Sequence, residues 1–218
     1  MNKSRNWLLF IIGSLALGAG ISLAKRSVEK KIDSFLPNAI KVSRFSRPGS
    51  ITILSTNGEI IQKIGPASQE KISLGLIPDL VKKAFIAAED RRFYEHKGID
   101  FWGLSRAIVT NIRERSFVEG GSTITQQLAR TVFLSQDRTI SRKIKEAALS
   151  LKLERQLSKQ EILNQYLNNV YLGSGAYGIA DAAWVYFTKT PNQLTLEEAS
   201  LIAGLPPAPS IYTPLLNP

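Results

Sequence analysis

Residues 89–98 read EDRRFYEHKG, residues 120–130 read GGSTITQQLAR and residues 142–146 read RKIKE. The first and third stretches each contain a glutamate, Glu89 and Glu146, beside basic side chains. The middle stretch begins with two glycines and continues with hydroxyl and amide side chains. Paired carboxylates can carry out acid–base chemistry, and a basic cluster can bind phosphate.

Glu89 follows an apolar run at residues 84–88. Partial burial there would raise the pKa of its carboxyl toward the range of a general base. The simpler alternative, an ion pair with Arg91 or Arg92 at a helix end, is favoured by position alone. His96 is the only histidine in the sequence, which excludes a histidine triad and a multi-histidine metal site. Taken alone, it is typical of a structural hydrogen-bonding residue.

The glycine-hinged polar loop has two interpretations. In the first, Ser122 is the N-cap of a helix, with Thr125 or Gln126 in its first turn. In the second, the backbone N–H groups and positive dipole of that helix N-terminus bind an anion. Thr123 and Gln127 lie four residues apart, so they share a helix face that is more polar than capping requires. Both interpretations stay open on this evidence.

Arg142 and Glu146 also lie four residues apart, and an intrahelical ion pair is the simplest explanation. Lys143 and Lys145 add more positive charge than one carboxylate needs. The cluster could therefore bind phosphate, with the arginine as the bidentate partner and the lysines as point charges.

Composition and charge limit the class of protein. A chain of 218 residues that is 44% hydrophobic can bury one substantial core, so one main domain is expected. The absence of cysteine excludes disulfides, thiolate metal sites and cysteine nucleophiles. Residues 1–48 contain nine Lys or Arg against two acidic side chains, a net of +7 within the chain's +10. Such localised charge fits a membrane surface, and no nucleic-acid partner is expected.

Residues 7–24 form an uncharged run of 18 positions. As a helix this run would be roughly 27 Å long, enough to cross a bilayer core. A cleaved signal peptide is the alternative, because Lys3 and Arg5 precede the run, but its length favours an uncleaved anchor. The basic residues that follow outnumber those that precede it, and this count alone would place residues 25–218 in the cytoplasm.

The remaining sequence predicts a small hairpin and then helices. Asn57 and Gly58 lie between short apolar runs at residues 51–54 and 59–62, which predicts a hairpin with a type I′ turn. Capping residues and helical spacing predict helices from residue 79 onward, with Asp79 and Asp100 as caps of the first two. The other predicted helices are residues 122–134, 139–156, 158–171, 176–188 and 195–204. A capping box at Ser158–Glu161 opens the helix at residues 158–171, and Thr195–Glu198 opens the last one.

Five ordered motifs make the sequence resemble glycosyltransferase family 51, the peptidoglycan glycosyltransferase domain of class A penicillin-binding proteins and monofunctional transglycosylases. The resemblance runs from about Ile51 to Pro218. Three motifs are the stretches quoted above, and the others lie at residues 162–168 with 173–178 and at residues 198–206. Thr131 departs from the family pattern, which commonly has asparagine there.

The resemblance implies a mostly α, lysozyme-like helical domain with a small β-hairpin and an N-terminal transmembrane helix. The chain ends directly after the fifth motif, so we expect a C-terminally truncated domain. The expected segments are 1–24, a cytoplasmic tip and transmembrane anchor; 25–48, a basic linker; 49–77, the hairpin segment; and 78–218, the glycosyltransferase domain.

The resemblance also implies an activity, polymerisation of lipid II into β-1,4 glycan strands with inversion and release of undecaprenyl diphosphate. Glu89 matches the catalytic base that deprotonates the acceptor hydroxyl. Glu146 matches a second essential glutamate, which assists diphosphate departure directly or through a divalent cation, Mg²⁺ or Mn²⁺. The resemblance also implies a substrate-binding group of ten residues. At the phosphate these are Arg130, Arg142 and Lys143, and at the donor site they are Ser122, Thr123, Gln126 and Gln127. The others are Asp90, Phe93 and His96, of which Phe93 and His96 support the Glu89 loop.

Two other functions remain as alternatives, a lytic muramidase and a non-catalytic membrane-anchored scaffold. The basic pair and hydroxyl-rich loop disfavour the muramidase, since hydrolysis of neutral glycan needs no diphosphate site. The intact glutamates disfavour the scaffold. The expected partners are lipid II, the growing glycan strand, the membrane and other cell-wall synthesis proteins. The expected location is the cytoplasmic membrane, single-pass, with the catalytic domain on the periplasmic or external side despite the charge count.

Overall fold

Helices form most of the chain that the structure, a computed structural model, describes: residues 51–64, 71–116, 120–134 and 139–215. A two-stranded hairpin precedes them, with strands β1 (Ile51–Leu54) and β2 (Ile60–Ile64). Short 3-10 turns lie at Leu74–Leu76 and Pro191–Gln193. The helices are α1 (Asp79–Glu89), α2 (Phe101–Arg113), α3 (Ile124–Phe133), α4 (Ile140–Gln156), α5 (Lys159–Asn169), α6 (Ile179–Phe187), α7 (Leu196–Ala203) and α8 (Pro209–Tyr212).

The predicted hairpin is confirmed, but the prediction of a type I′ turn is wrong. The strands are antiparallel, and Leu54 pairs with Ile60. A type I′ turn needs positive φ at both central residues, whereas only Gly58 of the Asn57–Gly58 pair has one, +86°. The Gly58 N–H donates to the Ser55 carbonyl and the Ser55 N–H to the Glu59 carbonyl. This arrangement matches a three-residue loop in which the glycine forms a bulge.

The hydrophobic core lies around α3, which packs against α4 and α5, while α1 packs against α7. Every residue from Ile124 to Ala129 is buried, so the first half of α3 lies in the protein interior, with Gln127 at the edge of a cleft. Phe85 of α1 and Tyr166 of α5 are fully buried and meet edge to face, with ring centroids 6.1 Å apart. Burial of one large apolar side chain is worth about 1.5–3 kcal/mol, so this contact helps to hold α1 against α5.

Local capping chemistry sets most helix starts. The predicted caps at Asp100, Ser158 and Thr195 are confirmed, since each side chain accepts from a backbone N–H of the next turn. Two predicted caps are wrong. Thr123, not Ser122, caps α3, and Asp79 is the first residue of α1, with no side-chain cap before it.

The apolar residues of α2 have helical spacing, as predicted, yet they do not enter the core. Leu104, Ile108 and Ile112 are 40%, 50% and 72% exposed, and Ala107 is the buried residue of this helix. Periodicity therefore predicted the helix correctly, although the stripe faces outward.

The predicted transmembrane anchor at residues 7–24 and the basic linker at residues 25–48 lie outside the described residues. Within the part of the chain that is described, no helix has both the length and the apolar character that a bilayer crossing requires.

Candidate active site

A cleft of about 800 Å³ lies at the end of α1, and much of the predicted site lines it. Its described walls come from the end of α1 with the turn after it, the start of α2, the loop into α3 with α3 itself, and the segment from Pro206 to the end of α8. The lining residues are Ala88, Glu89, Asp90, Arg91, Arg92, Asp100, Gly103, Arg106, Gly120, Gly121, Ser122, Thr123, Gln127, Arg130, Pro206, Pro207 and Tyr212.

Glu89, the last residue of α1, is half-buried at the cleft. The Nε2 amide of Gln127 donates to its Oε2 at 2.6 Å. Burial raises the pKa of the Glu89 carboxyl above its usual value; the Gln127 hydrogen bond and the Arg130 charge oppose that rise, and Asp90 adds to it. A raised pKa makes the Glu89 carboxylate a stronger base, which suits it to accept a proton.

The neighbouring arginines bond elsewhere, contrary to the ion pair that position alone favoured. Arg91 donates through Nε to the Ala87 carbonyl at 3.2 Å. Arg92 donates to Glu95 at 2.8 Å and lies 3.6 Å from Asp100.

Asp90 and His96 form a buried link beneath the cleft. Nε2 of His96 lies 2.9 and 3.0 Å from the two carboxylate oxygens of Asp90. The Gly98 N–H donates to Nδ1 of His96, so the ring proton lies on Nε2 and faces the carboxylate. Asp90 also accepts from the Ile124 N–H at 3.0 Å, which joins the end of α1 to the start of α3.

Phe93 lies in the protein interior, fully buried, with its ring edge toward His96. Neither Phe93 nor His96 lines the cleft. Their support of the Glu89 loop stays a prediction.

Thr123 and Gln126 are held in a capping box at the start of α3. The Thr123 hydroxyl accepts from the Gln126 N–H at 3.1 Å, and the Gln126 side chain accepts from the Thr123 N–H at 3.0 Å. The same hydroxyl donates to the Gly98 carbonyl at 2.7 Å. Capping therefore accounts for the Gln126 side chain, while Ser122 and Gln127 present polar atoms at the cleft.

Glu146 is fully buried and lies between two cations. Arg142 donates to its Oε2 at 2.6 Å, and Lys143 forms a short ion pair with its Oε1. Lys143 also donates to the Ser122 hydroxyl at 2.7 Å, and its side chain is 45% exposed. Glu146 does not line the cleft, and Lys143, which it contacts, lies beside the polar loop.

The residues around Glu146 do not fit a divalent cation, because both carboxylate oxygens already accept from cationic side chains. The described residues also contain no cluster of three or more acidic or histidine side chains that could hold a metal ion. The divalent cation stays a prediction of the resemblance.

The sequence did not predict several residues of the cleft, notably Arg91, Arg92, Arg106 and Tyr212. Arg106 is an isolated basic residue among the apolar residues of α2, and this isolation is a weak indication of a place in the site. The sequence around Tyr212 does not predict that this residue lines the cleft, because only the fold brings the end of α8 there.

Comparison with known proteins decides the family. A family model described as Transglycosylase matches residues 57–218. The chain belongs to the transglycosylase family. This assignment confirms the family that the five motifs predicted and, with it, the class of enzyme.

Relatives of this transglycosylase include penicillin-binding protein 1A of Neisseria lactamica, 46% identical over 183 residues, covering 84% of this chain and 23% of that protein. Penicillin-binding protein 1A of Escherichia coli K12 is 44% identical over 217 residues, 100% of this chain and 25% of that protein. A crystal structure of penicillin-binding protein 1A from Haemophilus influenzae is 24% identical, with a TM-score of 0.41 over 78% of this chain and 16% of that chain. The transglycosylase chain spans about a quarter of the length of the curated relatives it matches.

Proposed function

We propose that this transglycosylase domain polymerises lipid II into β-1,4 glycan strands for cell-wall synthesis. The observation that carries the proposal is Glu89: a half-buried carboxylate in a cleft, oriented by Gln127, with its pKa raised by burial. Family membership and relatives named penicillin-binding protein 1A support the substrate class.

In the proposed reaction Glu89 accepts the proton of the acceptor sugar hydroxyl. The hydroxyl oxygen then bonds to the anomeric carbon of the donor as the bond from that carbon to the diphosphate breaks, which inverts the configuration and releases undecaprenyl diphosphate. Arg106 and Arg130 line the cleft, and Lys143 lies beside it through Ser122. These cations would stabilise the negative charge of the departing diphosphate.

Glu146 has a supporting role in this mechanism. Its buried carboxylate compensates the charges of Arg142 and Lys143 and fixes their positions. A preorganised cation costs no reorganisation when charge develops in the transition state. This role differs from the direct assistance to the leaving group that the resemblance implied.

The proposal extends to location and partners. A lipid-linked substrate supports a position at the cytoplasmic membrane, with residues 25–218 on the periplasmic or external side. The uncharged run at residues 7–24 supports a single-pass anchor. The growing glycan strand and other cell-wall synthesis proteins are the proposed partners.

Product sizing after incubation with lipid II tests the proposed function. The full chain in detergent should yield long glycan and free undecaprenyl diphosphate. Shortened pre-formed glycan would indicate the muramidase, and an unchanged substrate would indicate the scaffold. Either of these outcomes contradicts the proposal.

A further inference from the structure

A chain of hydrogen bonds links Glu89 to Tyr166, a buried residue that does not line the cleft. The Tyr166 hydroxyl on α5 lies 3.3 Å from Oε1 of Gln127, and Nε2 of Gln127 donates to Glu89 at 2.6 Å. Tyr166 is fully buried, with its ring edge against Phe85. The Tyr166 hydroxyl therefore acts on Glu89 through a single intervening amide.

The direction of these bonds matters for the proton that Glu89 carries. An ionised carboxylate only accepts hydrogen bonds, so it requires the NH₂ end of the Gln127 amide. A hydroxyl that donates to the carbonyl end of the same amide favours that orientation. With the amide reversed, its carbonyl would face Glu89, an arrangement that suits only the protonated carboxyl.

We propose that Tyr166 is a positioning residue: its hydroxyl fixes the Gln127 amide, which holds the Glu89 carboxylate ready to accept a proton. This inference rests on the proposed function, in which Glu89 is the base. Tyr166 lies in the fourth motif, at residues 162–168, but the motif alone assigns no role to its hydroxyl.

Other charged groups near Glu89 also bear on its pKa, which the test below measures. Asp90 raises the pKa of Glu89, and Arg130 of α3 lowers it. Arg106 of α2 lines the same cleft. At the start of α7, the Glu197 side chain bonds to Thr195, and the Glu198 side chain bonds to Lys189. Because the Gln127 hydrogen bond also lowers the pKa of Glu89, loosening it should raise that pKa.

The test compares Tyr166→Phe with wild type in the full chain. Phenylalanine keeps the ring contact with Phe85 and removes only the hydroxyl. In carboxyl-¹³C-glutamate-labelled protein without substrate, the NMR titration of Glu89 should move to higher pH. The acidic limb of the pH profile of polymerisation should also move to higher pH. At a pH below this limb kcat should fall about two- to tenfold, which corresponds to the loss of one neutral hydrogen bond. KM should not change.

Tyr186→Phe is the matched control. The Tyr186 hydroxyl donates to the Leu172 carbonyl at 2.7 Å, in a part-buried site that does not line the cleft. Its loss should destabilise the fold to a similar extent and leave the Glu89 titration in place. Equal titration shifts in both variants would overturn the inference, since the effect would then be structural.

A double variant keeps the inference testable if the shift in Tyr166→Phe is small. In a Gln127→Leu background, which removes the amide, Tyr166→Phe should cause no further shift of Glu89. A further shift in that background, or no shift in Tyr166→Phe alone, would contradict the inference. A shifted Glu89 titration in a chain that makes no glycan would instead leave the network standing and refute the proposed function.

Discussion

The carboxyl of Glu89 should give this transglycosylase a pH dependence that the cleft explains. Burial raises the pKa of Glu89, and a general base works only when it is deprotonated, so activity should be present above that pKa and disappear as the pH falls through it. The pH profile of kcat/KM for lipid II polymerisation measures this limb. A limb at the pKa of an exposed glutamate would contradict the burial argument.

Glu146 should contribute to stability, because it is fully buried between Arg142 and Lys143. In Glu146→Gln one carboxylate charge is lost, and the two cations must turn toward solvent. We expect a loss of about 1.5–3 kcal/mol in the free energy of unfolding, measured by chemical denaturation in detergent. Glu59→Gln, an exposed change in the hairpin turn, is the control and should change little. Equal stability of Glu146→Gln and wild type would show that the buried pair contributes nothing.

The candidate site was predictable from sequence where the signal is local. Glu89, Ser122, Gln127 and Arg130 lie in short motifs, and all four line the cleft. The burial of Glu146 depends on how α4 packs, which the spacing of charged residues along one helix does not reveal. The hydrogen bond from Tyr166 to Gln127, which in turn bonds Glu89, depends on tertiary packing for the same reason.

At the scale of elements, the capping box of α3 holds the polar loop in place. Thr123→Ala removes both the cap and the hydrogen bond to the Gly98 carbonyl, so the free energy of unfolding should fall by about 1–3 kcal/mol. The loop carrying Ser122 should loosen as well, and kcat should fall.

Thr195→Ala is the matched control, since Thr195 caps α7 in the same type of box away from the cleft. It should lower stability by about 1 kcal/mol without a comparable loss of kcat. Equal losses of kcat in the two variants would show that the α3 cap has no special effect on the site.

The sequence predicted which segments are helical, but it predicted the bounds of the helices and their exposed faces less well. The boxes at Ser158 and Thr195 act within one turn, so their residues alone predict them. The helix predicted at residues 176–188 begins only at Ile179, because Gly178 has a positive φ of 85°. An added Cβ there would lie 2.7 Å from the Asn168 backbone, a tertiary constraint that no local pattern shows.

For the whole molecule, the fold brings together cleft residues from Ala88 to Tyr212, segments far apart in sequence. Among the residues that the structure describes, four arginines line this cleft, which makes it suitable for an anionic substrate. Motif resemblance predicted the family, and the packing of α1, α3 and α5 explains how Glu89 is prepared within it. Lysozyme-like topology stays a prediction.

The central claim is that Glu89 is the general base, and Glu89→Gln with purified lipid II tests it most directly. The amide keeps the shape and can still bond to Gln127, but it cannot accept the acceptor proton. With folding verified by circular dichroism, the account predicts that the polymerisation rate falls by about 10²–10⁴-fold. A folded Glu89→Gln chain that polymerises lipid II within a few-fold of the wild-type rate would contradict it.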